Sequence, residues 1–217
     1  DRHWRRAERA IEPRRGGSLE GGLCSGAARF FEEVTRAQAR GVAALMGVCN
    51  VTPDSFSDGG LTADRDAALS HVDRLVHEGA NIVDVGGEST RPGAARVPAA
   101  AQLARIEEVV ARAAERVVVS VDTTLAEVAD RALARGAHAV NDVSLLSDPE
   151  LAGVVARRGA ALILSHARGS QADMPGFGAW PERAYGDVVE DVLAELTRAR
   201  ARAVEAGVDP RAIVLDP

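Results

Sequence analysis

The alternation of apolar and polar positions changes character at Gly41. Residues 1–40 are rich in Arg, Glu and Gly, and only "AARFFEEVTRAQA" (residues 27–39) carries a helical period, so this stretch is expected to be a poorly ordered N-terminal extension. From Gly41 onward, short β-branched or apolar runs alternate with longer Ala/Leu/Arg/Glu segments. The runs are "VAALMGV", "NIVDV", "VVVSVD", "HAVND", "ALILS" and "AIVLD", each of strand length. The intervening segments, such as "RDAALSHVDRLVHEGA" and "LAEVADRALARGA", place apolar residues at i, i+3, i+4 and i+7, and several end in Gly, as a helix C-cap favours. This alternation predicts an α/β fold built on a parallel sheet.

Spacing separates an open doubly wound sheet from a closed barrel. The runs begin near residues 42, 81, 117, 138, 161 and 212, so five steps from 42 to 212 average about 34 residues. Eight such units give roughly 250 residues, the usual size of a (β/α)8 barrel. A TIM-type barrel domain over residues 41–217 is expected, carrying the first six βα units, with two more strands after Pro217. A barrel piece of this kind has two raw edges and is expected to be inactive or unstable alone.

The polar residues sharpen the picture, because the six runs end in or near Asn50, Asp84, Asp122, Asn141, His166 and Asp216. Any one of these could be a helix N-cap or turn former. Six together, at the carboxyl ends of parallel strands, converge on the face where barrel enzymes place their chemistry. Asp122, Asn141 and Asp216 offer acceptors and one amide, with few cations nearby. Such a set suits a flat heterocycle with adjacent N–H donors, the edge that pterins and guanines present. His166 either touches a ligand or bonds a neighbouring group. His71, His77 and His138 have no partner at metal-ligand spacing, so no zinc site is expected.

Composition narrows the function class. The 217 residues are 46% hydrophobic, enough for one core, and the net charge of -6 comes with arginines interspersed among acids, which argues against nucleic acid as a partner. There is no apolar run of about 18 residues and no signal-peptide pattern, and Cys24 and Cys49 form no CxxC pair. A soluble, reduced, cytoplasmic protein without membrane contact is expected.

"MGVCNVTPDSFSDGG", "IVDVGGESTRPGA", "SVDTT", "AVNDVS" and the terminal "VLDP" resemble, in order and spacing, the successive motifs of dihydropteroate synthase, a pterin-binding enzyme family of folate biosynthesis. The resemblance spans about residues 41–217 and implies transfer of the dihydropterin-methyl group of (7,8-dihydropterin-6-yl)methyl diphosphate to 4-aminobenzoate, with Mg²⁺ as cofactor and a homodimer at full length. By position, Asn50 matches the residue that holds the metal-diphosphate, and Asp122, Asn141 and Asp216 match those gripping the pterin. Asn50, Asp122 and Asp216 are therefore the expected catalytic positions. Asp84, Thr90, Arg91 and Pro92 match further substrate contacts, the last three around 4-aminobenzoate, where sulfonamides compete.

The resemblance further implies that "NVTPDSFSDGG" and "GGESTRPGA" are loops that close over the site, with Gly59, Gly60, Gly86 and Gly87 as hinges. The chain departs from the family at Ser165, where many members carry Met against the pterin face, and at "DVSLLSD", which replaces a "DVSGG" type of turn and is expected to alter only a loop. The family's Ser-Arg-Lys and Arg-x-His segments are not among the 217 residues. Two alternatives share the pterin-gripping residues. A methyltetrahydrofolate:corrinoid methyltransferase-type barrel lacks a "TPDSF" loop, and a non-catalytic pterin-binding protein keeps the pterin site but has lost the diphosphate cations.

Overall fold

The computed structural model describes residues 23–52, 60–89, 96–167 and 186–217. In chain order they form helix α1 (Ser25–Ala39), strand β1 (Met46–Asn50), α2 (Gly60–His77), β2 (Ile82–Gly86), α3 (Ala99–Ala114), β3 (Val118–Asp122), α4 (Ala126–Ala134), β4 (Ala139–Asp142), α5 (Leu151–Arg158), β5 (Ala161–Ser165), α6 (Val188–Glu205), a 3-10 turn (Pro210–Ala212) and β6 (Ile213–Asp216). All six strands are parallel and pair in chain order from β1 to β6. A doubly wound sheet reverses its strand order at a switch point, whereas successive barrel units do not. The architecture is therefore six consecutive βα units of the barrel type.

Register explains which residues face where. Side chains alternate across a strand, so Val83, Val85, Val119, Val121, Val140, Leu162 and Leu164 lie on the outer face, and all are fully buried. They meet helices whose apolar stripes follow the helical period. In α3 the stripe is Ile106, Val109, Val110 and Ala113, all without solvent exposure. Each buried valine, leucine or isoleucine side chain contributes about 1.5–3 kcal/mol by leaving water. The five residues of β2 are buried in succession, as expected where both faces of a parallel strand are covered.

Strand β1 starts four residues later than its apolar run. Ladder partners exist only from Ile82 onward, so Val42 and Leu45 lie outside the sheet and are each 55% exposed. Among the described residues β1 and β6 are the outer strands. The inner-face residues Met46 and Val48 of β1 are correspondingly 39% and 54% exposed.

Helix α1 covers the helix anticipated at residues 27–39, yet it is part of the fold rather than of a separate extension. Ala27, Phe30 and Ala37 are buried, and the helix packs against β3, β4 and β5. Its entry is pinned at the amino ends of the strands: Ala27 N donates to Gly159 O at 3.0 Å, and Gly26 lies beside the carbonyls of Gly159 and His138. The unit boundary therefore precedes Ser25, and the expectation of disorder for residues 1–22 falls outside the described residues. No described helix is long and apolar enough to cross a membrane.

Gly159 caps α5 in the left-handed region at φ 65°, and a Cβ placed there would lie 2.3 Å from Cys24 Cβ. Gly159→Ala thus meets both strain and collision. It is expected to lower unfolding free energy by more than about 1 kcal/mol in urea titration, and to raise amide exchange selectively in residues 25–39. Unchanged protection of α1 would refute this account of how the helix is held.

Candidate functional site

Positions of one parity along all six strands share the inner face. The register aligns Asn50 with Gly86, Gly86 with Asp122 and Asp122 with Asn141, while Val48, Asp84, Ser120 and Ala139 form the row beneath. Ser165 and Asp216 pair at the far end. Asp84 therefore lies one row deeper than the strand tip at which the sequence placed it, but on the same face as Asn50, Asp122, Asn141 and Asp216.

Hydrogen bonds link these residues across the sheet. Asn141 Nδ2 donates to Asp84 Oδ2 at 2.9 Å, and the Ser165 hydroxyl lies 3.2 Å from Asn141 Oδ1 and 3.0 Å from Asp216 Oδ2. Among the described residues, Asn50 Oδ1 and Asp84 Oδ1 are buried without a hydrogen-bond partner. Gly86 makes the crowding possible, because a Cβ there would come within 2.9 Å of Asn50 Oδ1 and 3.4 Å of Asp122 Oδ2. A Cβ placed on Gly87 would likewise lie 3.0 Å from Gln102 Cα. Both glycines, expected as hinges, are buried close-approach positions.

The electrostatics are one-sided. Burial pushes the Asp122 carboxyl up to about 8, reinforced by the negative charges of Asp84, Asp142 and Glu88. Burial also raises Asp84, against the pull of the Asn141 amide and the neighbouring Ser120 hydroxyl. The face holds more acceptors than donors, so its natural complement is a ligand edge that donates hydrogens.

A second network braces the ends of the β2–α3 connection. Glu88 Oε1 accepts from Val97 N at 3.0 Å, while Gln102 Nε2 donates to both Glu88 Oε2 and Val97 O at 2.9 Å. Gln102 Oε1 accepts from Thr123 Oγ1 at 3.3 Å, which ties the connection to the end of β3. Gln102 is fully buried and makes every hydrogen bond that its amide donors allow. Sequence reading passed over it, since a lone Gln on an apolar helical stripe carries no motif.

His166 fits the second of its two expected readings, a bond to neighbouring groups: it follows Ser165 with opposite parity, its N donates to Asp216 O, and its Nε2 lies 2.7 Å from Glu195 Oε2 on α6. Ser165 takes the inner-face place instead. One expectation needs correction: the "DVSLLSD" turn is more than a loop change, because Leu145 and Leu146 both adopt positive φ, 54° and 62°, conformations that cost about 1–2 kcal/mol per non-glycine residue. Asp142 stabilises the turn by accepting from Ser144 N, Ser144 Oγ and Leu146 N, and Arg202 donates to Leu145 O. Thr90, Arg91 and Pro92, along with residues 53–59, lie outside the described residues.

A carboxyl whose pKa is higher folded than unfolded takes up a proton on folding. Its stabilising effect is complete below about pH 4 and is lost as pH rises through the folded value. With Asp122 moved from 3.8 to about 8, stability is expected to fall between pH 5 and pH 8. Asp122→Asn should flatten that fall and exceed the wild type at pH 8 by more than about 1 kcal/mol, the worth of a single pKa unit. Urea midpoints across this pH range provide the check, and parallel curves for the two proteins would overturn the assignment.

The pterin binding enzyme family matches residues 46–217. Dihydropteroate synthase of Mycobacterium leprae is 49% identical over 175 residues, covering 80% of this chain and 60% of that protein, and the Bacillus subtilis enzyme is 43% identical over 176 residues. Among solved structures, Xanthomonas albilineans dihydropteroate synthase with 4-aminobenzoic acid superposes with a TM-score of 0.70 at 41% identity. That match covers 80% of this chain and 60% of the other. The Yersinia pestis enzyme in a sulfonamide drug complex gives 0.71 at 39%, covering 80% and 62%. The chain thus spans about 60% of the length of the curated relatives it matches. With the family match covering all six strands, and the polar inner face lying within it, this chain belongs to the pterin binding enzyme family.

Proposed function

We propose that the intact protein is a transferase, a dihydropteroate synthase. It condenses (7,8-dihydropterin-6-yl)methyl diphosphate with 4-aminobenzoate to give 7,8-dihydropteroate and pyrophosphate. The observation that carries this reading is the acceptor-rich inner face, on which Asp84, Asp122, Asn141 and Asp216 occupy one side of the sheet and burial, reinforced by neighbouring negative charges, lifts Asp122 to about 8. An aminopyrimidine edge supplies the N–H donors this face lacks, and each hydrogen bond to an ionised carboxylate contributes about 1.5–3 kcal/mol.

In the reaction the bond from the ring-bound methylene to the diphosphate oxygen breaks, and a bond to the 4-aminobenzoate nitrogen forms as that nitrogen gives up a proton. Asp122, Asn141 and Asp216 hold the ring so that the methylene faces the incoming amine, and their acceptor oxygens favour the electron-poor ring that develops as the diphosphate departs. Positioning and electrostatics thus do most of the chemistry. By the family resemblance, Thr90, Arg91 and Pro92 would contact 4-aminobenzoate, at the place where sulfonamides compete.

Among the described residues no group of three or more His, Cys, Asp or Glu is arranged to hold a metal. Asn50 Oδ1 is nevertheless a buried, unpartnered oxygen at the strand tips, and one hard oxygen suits Mg²⁺, which keeps waters and takes phosphate oxygens for the rest. Bound there through Asn50, the ion would neutralise charge on the leaving diphosphate. The intact protein works in the cytoplasm, as a homodimer, on small-molecule substrates and without nucleic acid.

The test is pyrophosphate release from the pterin diphosphate with Mg²⁺ by the full-length protein, with and without 4-aminobenzoate, beside calorimetric binding. Turnover that requires 4-aminobenzoate, and an Asp122→Ala variant that loses more than about 100-fold in pterin affinity, are the expected results. Binding without turnover would mark a non-catalytic pterin-binding protein, and absence of binding would refute the site.

A further inference from the structure

At the corner where β4, β5 and β6 meet, one hydroxyl stands between two acceptors. Asn141 is 8% exposed, and its Nδ2 donates to Asp84 Oδ2 at 2.9 Å, which turns the carbonyl end of the amide towards Ser165. Ser165 Oγ then stands 3.2 Å from Asn141 Oδ1 and 3.0 Å from Asp216 Oδ2, between two acceptors. A hydroxyl carries one hydrogen and two lone pairs. At any instant it can serve Asn141 or Asp216, and the other oxygen is left for a ligand or, at the exposed Asp216, for water.

An ionised carboxylate accepts and never donates, so where carboxylates alone line a site they read hydrogens on a ligand. A site made solely of such groups rejects an analogue that offers an oxygen where an N–H is wanted, often by orders of magnitude. The Ser165 hydroxyl is different in kind, because rotation about the Cβ–Oγ bond exchanges donor for acceptor. When a ligand N–H reaches Asp216, Ser165 can donate to Asn141 Oδ1 and accept from the same ligand group. When a ligand oxygen arrives, the hydroxyl can turn its hydrogen to that oxygen.

Resting on the pterin reading above, we propose that Ser165 is a specificity-determining residue whose reversible hydroxyl lets the pocket take a ring bearing either an amino group or an oxygen at the position beside Asp216. A methionine at this place, common in the family that the sequence resembles, has a thioether that accepts weakly and donates nothing. The serine therefore relaxes a preference for the amino-bearing ring that acceptors alone would enforce.

The experiment measures calorimetric affinities of the intact protein for 6-hydroxymethylpterin and for its counterpart with oxygen in place of the ring amino group. It compares the wild type with Ser165→Ala and Ser165→Thr. In Ser165→Ala the pterin affinity should change less than threefold while the oxo compound weakens about tenfold, so the selectivity ratio rises about tenfold. Ser165→Thr, which keeps a hydroxyl, should retain the wild-type ratio, a pattern that general loss of structure would not produce. An unchanged or reduced ratio in Ser165→Ala, or loss of pterin binding by that variant, overturns the role given to Ser165 and leaves the pterin site standing if the wild type binds pterin. A wild type that binds neither compound overturns the pterin reading itself.

Discussion

The hydrogen bond from Asn141 to Asp84 joins strands that are not neighbours, and much of the structure is what permits it. With strands about 4.8 Å apart, a flat sheet would hold β2 and β4 roughly 10 Å from one another at the backbone. A side-chain contact of 2.9 Å across that span means that the sheet curls with its inner face concave. Parallel strands in unbroken chain order supply that curl, and the small inner-face residues Gly86, Ala139 and Ala161 leave room inside it. Curvature is thus the step between a pattern of alternating strands and a set of polar groups close enough to act on one ligand.

The same concavity concentrates negative charge where it is least comfortable. Asp84 is 4% exposed, and neither it nor Asp122 has a cation paired with it among the described residues. Burial of an unpaired charge costs several kcal/mol, a cost the protein lowers by letting Asp122 keep its proton to higher pH. The offset lies on the opposite face of the strands, where valines and leucines pack against amphipathic helices. This division of labour along one strand is plain in β3, whose Val119 and Val121 are fully buried against helices while Ser120 and Asp122 face inward.

Most of this was legible in the sequence because period and punctuation agree. Apolar runs with polar ends located all six strands, and helical stripes ending in glycine located the helices between them. What period could not settle was parity at a strand end. "ILSHA" offers both Ser165 and His166 as a polar tip, and only the pairing of Ser165 with Asp216 decides which one faces inward. Nor could it separate hinge from close approach at Gly86 and Gly87, since both uses call for a residue without a side chain. Helix α1 was read as an appendage because its buried apolar positions, Ala27, Phe30 and Ala37, are few and its partners, β3, β4 and β5, lie far along the chain.

The turn after β4 shows how a local conflict can serve a distant requirement. Two leucines in left-handed conformations would be expected to unsettle the chain just beyond Asn141. The turn holds because Asp142, whose side chain faces away from the polar cluster, takes three hydrogen bonds from Ser144 and Leu146, while Leu146 is buried in the core and Arg202 grips the Leu145 carbonyl. A strained conformation persists only where its surroundings over-determine it, and here they do so from the strand, the core and α6 at once. Asn141 is therefore anchored on both sides, by Asp84 across the sheet and by this turn along the chain. The residue at the centre of the polar face is in this way among the most constrained on it, as a group that must present a fixed pattern of donors and acceptors to a flat ring needs to be.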